Sequence, residues 1–175
     1  MFLDDIVSYY KLDNDVTDVH GTKEGTATNI TYNSTDYVLG GYSANLNGTS
    51  AYVTIPSSQV ADPDAWSVSI RGSMDSLASN NVFITLQSEY NIQIFSDTIS
   101  GNILLQTYDG TTAFNSGNTT AVIDTLYHIV ITYDGTTQKI YVNGVLDDSD
   151  AANTPSAYAV ASRIGAHRAG STYYD

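Results

Sequence analysis

Two acidic clusters have the composition to do chemistry. Asp13-Asn14-Asp15-Val16-Thr17-Asp18 sets three carboxylates within six residues, just ahead of Gly21. A hard cation such as Ca2+ is held by several carboxylates and carbonyls converging at 2.3–2.6 Å. On that chemistry Asp15 and Asp18 are the candidate side-chain ligands, and Ca2+ is the candidate cofactor. The run resembles the start of an EF-hand loop but has Asp18 where that loop needs Gly. The competing reading is a turn held by Asx hydrogen bonds. The second cluster is Asp147-Asp148-Ser149-Asp150. Asp148 and Asp150 share a face if the chain is extended, but a polar hairpin edge explains them as well.

Hydrolytic chemistry lacks its parts. Retaining glycoside hydrolysis needs two carboxyls about 5 Å apart. Of nineteen Asp plus Glu, only Glu24 and Glu89 are Glu, and they stand alone. There is no Cys and no nucleophile elbow, and His20, His128 and His167 are scattered. His128 sits within an apolar run, where a structural role is the expectation. The chain is therefore expected not to be an enzyme and to have no glycosidase activity. Sugar binding has better material. Sugar C–H faces stack on aromatic rings, and Asp and Asn bind hydroxyls. Tyr90, Tyr108, Phe114, Tyr173 and Tyr174 fall near expected turns, where rings can be exposed, and are the candidate carbohydrate-binding residues.

These side chains must be positioned by strands. The 175 residues include 14 Tyr and only three Pro, with short alternating runs separated by Gly, Asn, Asp and Ser. That pattern predicts an all-β, two-sheet antiparallel sandwich in a single domain. No helical period is long enough to predict a helix. Strands are expected at 6–11, 28–33, 42–47, 50–55, 66–72, 81–87, 90–95, 101–108, 126–133, 138–142, 145–149 and 160–166. The strongest local signal is Asn143-Gly144 between two β-prone runs, because a two-residue hairpin needs φ > 0 at both positions. Trp66, Val68 and Ile70 alternate with Ser67, Ser69 and Arg71, and Ile129, Ile131 and Tyr133 form a second inward set.

Charge excludes some partners. Six Lys plus Arg against nineteen acids give a formal net charge of −13. Nucleic acid and anionic membrane both require clustered cations, so neither is an expected partner. No run is long and apolar enough to span a bilayer, and the amino terminus lacks the basic and apolar regions of a signal peptide.

Specific motifs also carry a family resemblance. Leu126-Tyr127-His128, Thr132-Tyr133-Asp134-Gly135 and Ile140-Tyr141-Val142-Asn143-Gly144-Val145-Leu146 resemble the central meander of laminin-G-like, concanavalin A-like jelly-roll domains. Ile6–Asp13, Asp18-Val19-His20-Gly21, Gly40–Gly48, Tyr52–Pro56, Trp66–Ile70 and Ile164-Gly165-Ala166 extend the likeness over nearly the whole chain. The resemblance implies a non-catalytic binding or adhesion module that recognises surface carbohydrate, displayed on a virion or cell surface. The alternative is a structural coat, decoration or oligomerisation domain that contacts only protein neighbours. In this family a closing strand follows the Tyr/Phe-Asp-Gly turn and lies beside the first strand, whereas the sequence ends at Tyr173-Tyr174-Asp175. The chain is therefore expected to be a fragment of a longer polypeptide, with an exposed or borrowed edge along Val7–Leu12 through which it could assemble.

Overall fold

The computed structural model describes residues 5–57, 64–77, 80–86, 91–97, 99–156 and 161–167. Thirteen strands are present there: β1 (Thr26–Thr28), β2 (Thr31–Asn33), β3 (Ser43–Asn45), β4 (Tyr52–Ile55), β5 (Trp66–Gly72), β6 (Asn81–Leu86), β7 (Asn91–Ser96), β8 (Ile103–Tyr108), β9 (Ala113–Ser116), β10 (Tyr127–Tyr133), β11 (Thr137–Val142), β12 (Val145–Ala151) and β13 (Ser162–Ile164). All pairings among them are antiparallel. A seven-stranded sheet has the order β1-β4-β13-β6-β7-β8-β9, and a four-stranded sheet has the order β12-β11-β10-β5. β2 and β3 form a separate two-stranded ribbon. No helix occurs among the described residues.

The core lies between the two large sheets. Alternation sends Ile129, Ile131 and Tyr133 of β10 and Ile140 and Val142 of β11 inward. They meet Val53, Ile84, Ile92, Ile94, Ile103, Leu105 and Ile164 from the other sheet. Each such side chain contributes about 1.5–3 kcal/mol on full burial. Trp66 packs on Tyr133 with ring centroids 5.7 Å apart. One polar group crosses this core. Gln138 of β11 is fully buried, accepts the Thr107 Oγ1 hydroxyl at 2.6 Å and donates Nε2 to Ser116 Oγ at 2.8 Å. It bolts β11 to β8 and β9 with both of its polar ends satisfied.

The Asn143-Gly144 hairpin forms as the sequence requires, with φ of 51° and 82°. Asn143 adds a second lock: its Oδ1 accepts the His128 amide at 2.9 Å, and its own amide donates to His128 O at 2.8 Å.

Three expectations are corrected. Residues 6–11 are not a strand; only an isolated bridge joins Tyr10 to Asp18. Tyr9 explains why, since its amide donates to Asp18 Oδ1 and its carbonyl accepts the Val19 amide, which turns that backbone toward a local loop. The run 28–33 breaks into β1 and β2 at Asn29, whose φ of 52° cannot continue a strand. β9 was not anticipated: Ala-Phe-Asn-Ser is short, lies between turn residues and gains its place by pairing with β8.

Candidate functional site

The acidic loop 13–18 is organised by its own backbone. Asp18 is 4% exposed. Its Oδ1 accepts the amides of Tyr9 (2.9 Å), Gly21 (2.9 Å) and His20 (3.3 Å), and its Oδ2 accepts that of Lys23 (3.1 Å). Burial pushes the Asp18 carboxyl up, but these four amides outweigh it and hold the pKa at about 2. A side chain at position 21 would meet Asp18 Oδ2 at 2.4 Å, so glycine is needed for this close approach. Glu24 accepts the Asp18 amide at 3.1 Å. Asp15 accepts only the Thr17 amide, at 3.1 Å. Asp13 accepts the amides of Gly41 and Tyr42, each at 2.8 Å. Among the described residues, no group of three or more His, Asp or Glu side chains is gathered to hold a metal. The geometry commits Asp18 to the backbone, so any Ca2+ at this loop would depend on Asp15 and on carbonyls.

The Asp147–Asp150 cluster has a similar use. Asp147 accepts the amides of Asn118 (2.7 Å) and Thr119 (3.0 Å) and the Thr119 hydroxyl, while Asp148 accepts the Gly117 amide at 2.9 Å. These contacts clamp the edge strand β12 to the chain leaving β9. Burial raises the Asp147 pKa, but the donors from Thr119 and Asn118 prevail and lower it.

The candidate aromatic residues divide. Phe114 is half-buried and packs against the core from β9. Tyr108 points outward from β8 and donates its hydroxyl to Gly110 O at 3.0 Å. Tyr90, Tyr173 and Tyr174 lie outside the described residues, as does Glu89.

What the sequence did not reveal is the outer face of the seven-stranded sheet. The register aligns Thr26, Thr54, Arg163, Thr85, Gln93, Gln106 and Asn115 in one row across all seven strands. At strand spacing of about 4.8 Å this row is about 29 Å long. Its amides are chained: Gln93 Nε2 donates to Gln106 Oε1, and Gln106 Nε2 donates to Asn115 Oδ1 at 2.7 Å. Beside it, Val82, Phe95 and Leu104 are paired in register as an apolar row. Val82 and Phe95 are buried, yet they lie outside the main core cluster. Asn80, Val82, Gln93, Phe95, Asp97, Gln106 and His167 line a cleft of about 400 Å³ over these rows. Asp97 Oδ2 accepts the Ser100 amide and hydroxyl, both at 2.8 Å; the amide is the main cause that lowers the Asp97 pKa and keeps the group anionic. Toward the other end, the Arg163 guanidinium stacks over Tyr52, 4.6 Å from the ring centroid. Its Nη1 donates to His167 O at 3.1 Å. A face with amide pairs, one carboxylate and the half-buried Leu104 can hydrogen-bond hydroxyls beside a small apolar contact.

Comparison with known proteins agrees with this architecture. Residues 47–175 match the laminin-G family described as the concanavalin A-like lectin/glucanases superfamily, and the chain belongs to that family. No curated protein matches it by sequence. Among solved structures it is similar to domain 4 of AbnA, a GH43 extracellular arabinanase from Geobacillus stearothermophilus, in complex with arabinotriose. The TM-score is 0.75 at 20% identity, covering 97% of this chain and 84% of that one. It is also similar to the binding domain of botulinum neurotoxin DC in complex with SialylT, with a TM-score of 0.69 at 14% identity. That match covers 93% of this chain but 43% of the toxin chain. At these identities the likeness is one of fold.

Proposed function

We propose that this member of the concanavalin A-like superfamily is a non-catalytic carbohydrate-binding module, and that its ligand lies on the outer face of the seven-stranded sheet. The observation that carries the reading is the in-register amide chain Gln93–Gln106–Asn115 beside the Val82–Phe95–Leu104 row. Amides present both donors and acceptors, which hydroxyls need. In the apolar row Val82 and Phe95 are buried, so half-buried Leu104 is the member that the C–H face of a sugar ring would meet. Arabinotriose and SialylT, the ligands bound by the two similar domains, support the class of ligand. Catalysis finds no support, because no carboxylate pair accompanies the row among the described residues and Glu24 is engaged at the Asp18 loop.

A glycan array probed with the wild type and with Gln106→Ala, with and without calcium, tests this. Binding of one group of glycans, lost in the variant, is the expected result. A wild type that binds no glycan, or a variant that binds like the wild type, would refute it. Calcium sensitivity of the array, with heat on titrating the chelated protein, would assign Ca2+ to the Asp15 loop. Display on a virion or cell surface belongs to the same proposal, and immunolabelling of intact particles or cells checks it.

A further inference from the structure

We infer that the ligand of this face carries a carboxylate, which Arg163 receives; the inference rests on reading the face as the glycan site. Arg163 is the one Lys or Arg in the seven-residue row, and the row contains no acid. A guanidinium has five N–H donors and stays charged at every physiological pH. Here one donor is met by His167 O, and the ring of Tyr52 covers one face. Nε is closed to solvent and has no hydrogen-bond partner, so a ligand would be received at the terminal nitrogens of the group. Among the described residues no carboxylate pairs with the group. A buried donor on a charged group is costly to leave unmet.

A planar fork of N–H groups suits a carboxylate better than a hydroxyl, because two parallel hydrogen bonds can form. The setting gives the ligand a direction. Arg163 is two strands from Gln93, roughly 10 Å, and Asp97 is four residues along β7 from Gln93, roughly 13 Å. The acidic group of the ligand therefore sits toward Arg163, with uncharged hydroxyls toward Asp97. The net charge of −13 works against an anionic ligand at long range, but ions screen it beyond about 8 Å at physiological strength. Contact with Arg163 is inside that distance.

The test measures binding of the whole chain to matched acidic and neutral probes: oligogalacturonates against their methyl esters, sialyllactose against lactose, and neutral arabino- and xylo-oligosaccharides. At least one acidic probe should bind about tenfold more tightly than its neutral partner. Arg163→Gln should erase that preference with the melting temperature unchanged, and Arg163→Lys should keep part of it. Gln106→Ala should weaken acidic and neutral probes alike. Equal affinity for acid and neutral partner, or a preference retained in Arg163→Gln, overturns the inference and leaves the glycan face standing. If no probe binds at all, both readings fall. If Arg163→Gln unfolds the chain, the wild-type preference decides alone.

Discussion

The two sheets have the same alternation but treat their outward residues differently. On the four-stranded sheet, Ser67, Ser69 and Arg71 of β5 are exposed and face His128, Val130 and Thr132 of β10. Apart from a 2.9 Å contact between Ser69 Oγ and His128 Nε2, these side chains are turned to solvent. On the seven-stranded sheet, outward side chains are tied to one another in amide pairs, and an apolar pair is buried outside the core. Side chains held in place before a ligand arrives lose little entropy on binding. The difference is what favours the seven-stranded sheet as the proposed binding face, with the four-stranded sheet as its support.

The largest effect should come from cutting the link between the sheets. Gln138→Ala leaves a cavity and strands the hydroxyls of Thr107 and Ser116. A loss of about 3 kcal/mol in denaturant unfolding is expected. A loss below about 1 kcal/mol would mean that the faces are held apart by apolar packing alone. Next is the Asp18 loop, which leads into β1 at the edge of the seven-stranded sheet. Asp18→Asn removes a charge-assisted acceptor and should cost about 2 kcal/mol at pH 7. The folded pKa of about 2 lies below the ordinary aspartate value of 3.8. This contribution is therefore complete above about pH 4 and is lost as pH falls through the folded value. Unfolding curves between pH 5 and pH 2 should show the step in the wild type and not in Asp18→Asn. Gln106→Ala breaks the amide chain and should weaken glycan binding about tenfold, or about 1.4 kcal/mol, in calorimetry. The smallest effect belongs to the supporting face. Arg71→Ala should alter stability by less than about 0.5 kcal/mol and affinity by less than about twofold. A larger loss of affinity there would move the binding face to the other sheet.

How much of this was legible in the sequence follows from how local each feature is. The Asn143-Gly144 hairpin needs two adjacent residues, and it formed as expected. Alternation in β5 and β10 needs one strand each, and inward sets such as Ile129 and Ile131 were correct. The acidic runs were visible, but their partners were not: the Asp18 carboxylate is aimed at amides by the path of residues 9–23, which no spacing specifies. The proposed binding row was hidden for the same reason on a larger scale. Gln93, Gln106, Asn115 and Arg163 are far apart in the chain, and they meet only through four pairing registers. Each reads in sequence as an ordinary polar position on a strand. Phe114 stands beside a turn in sequence, but its packing against the core comes from the pairing of β9 with β8, which no local signal specifies.

The clamp from Asp147 and Asp148 also gives the molecule a sidedness. It joins edge strand β12 of one sheet to the chain leaving edge strand β9 of the other. A foreign strand approaching along that margin would have to displace bonds already made to carboxylates. The opposite margin, formed by β1 and β5, carries no such latch among the described residues. Strand addition then has one margin open to it, so two copies that joined in this way would pair like edge to like edge and close as a dimer instead of growing into a row.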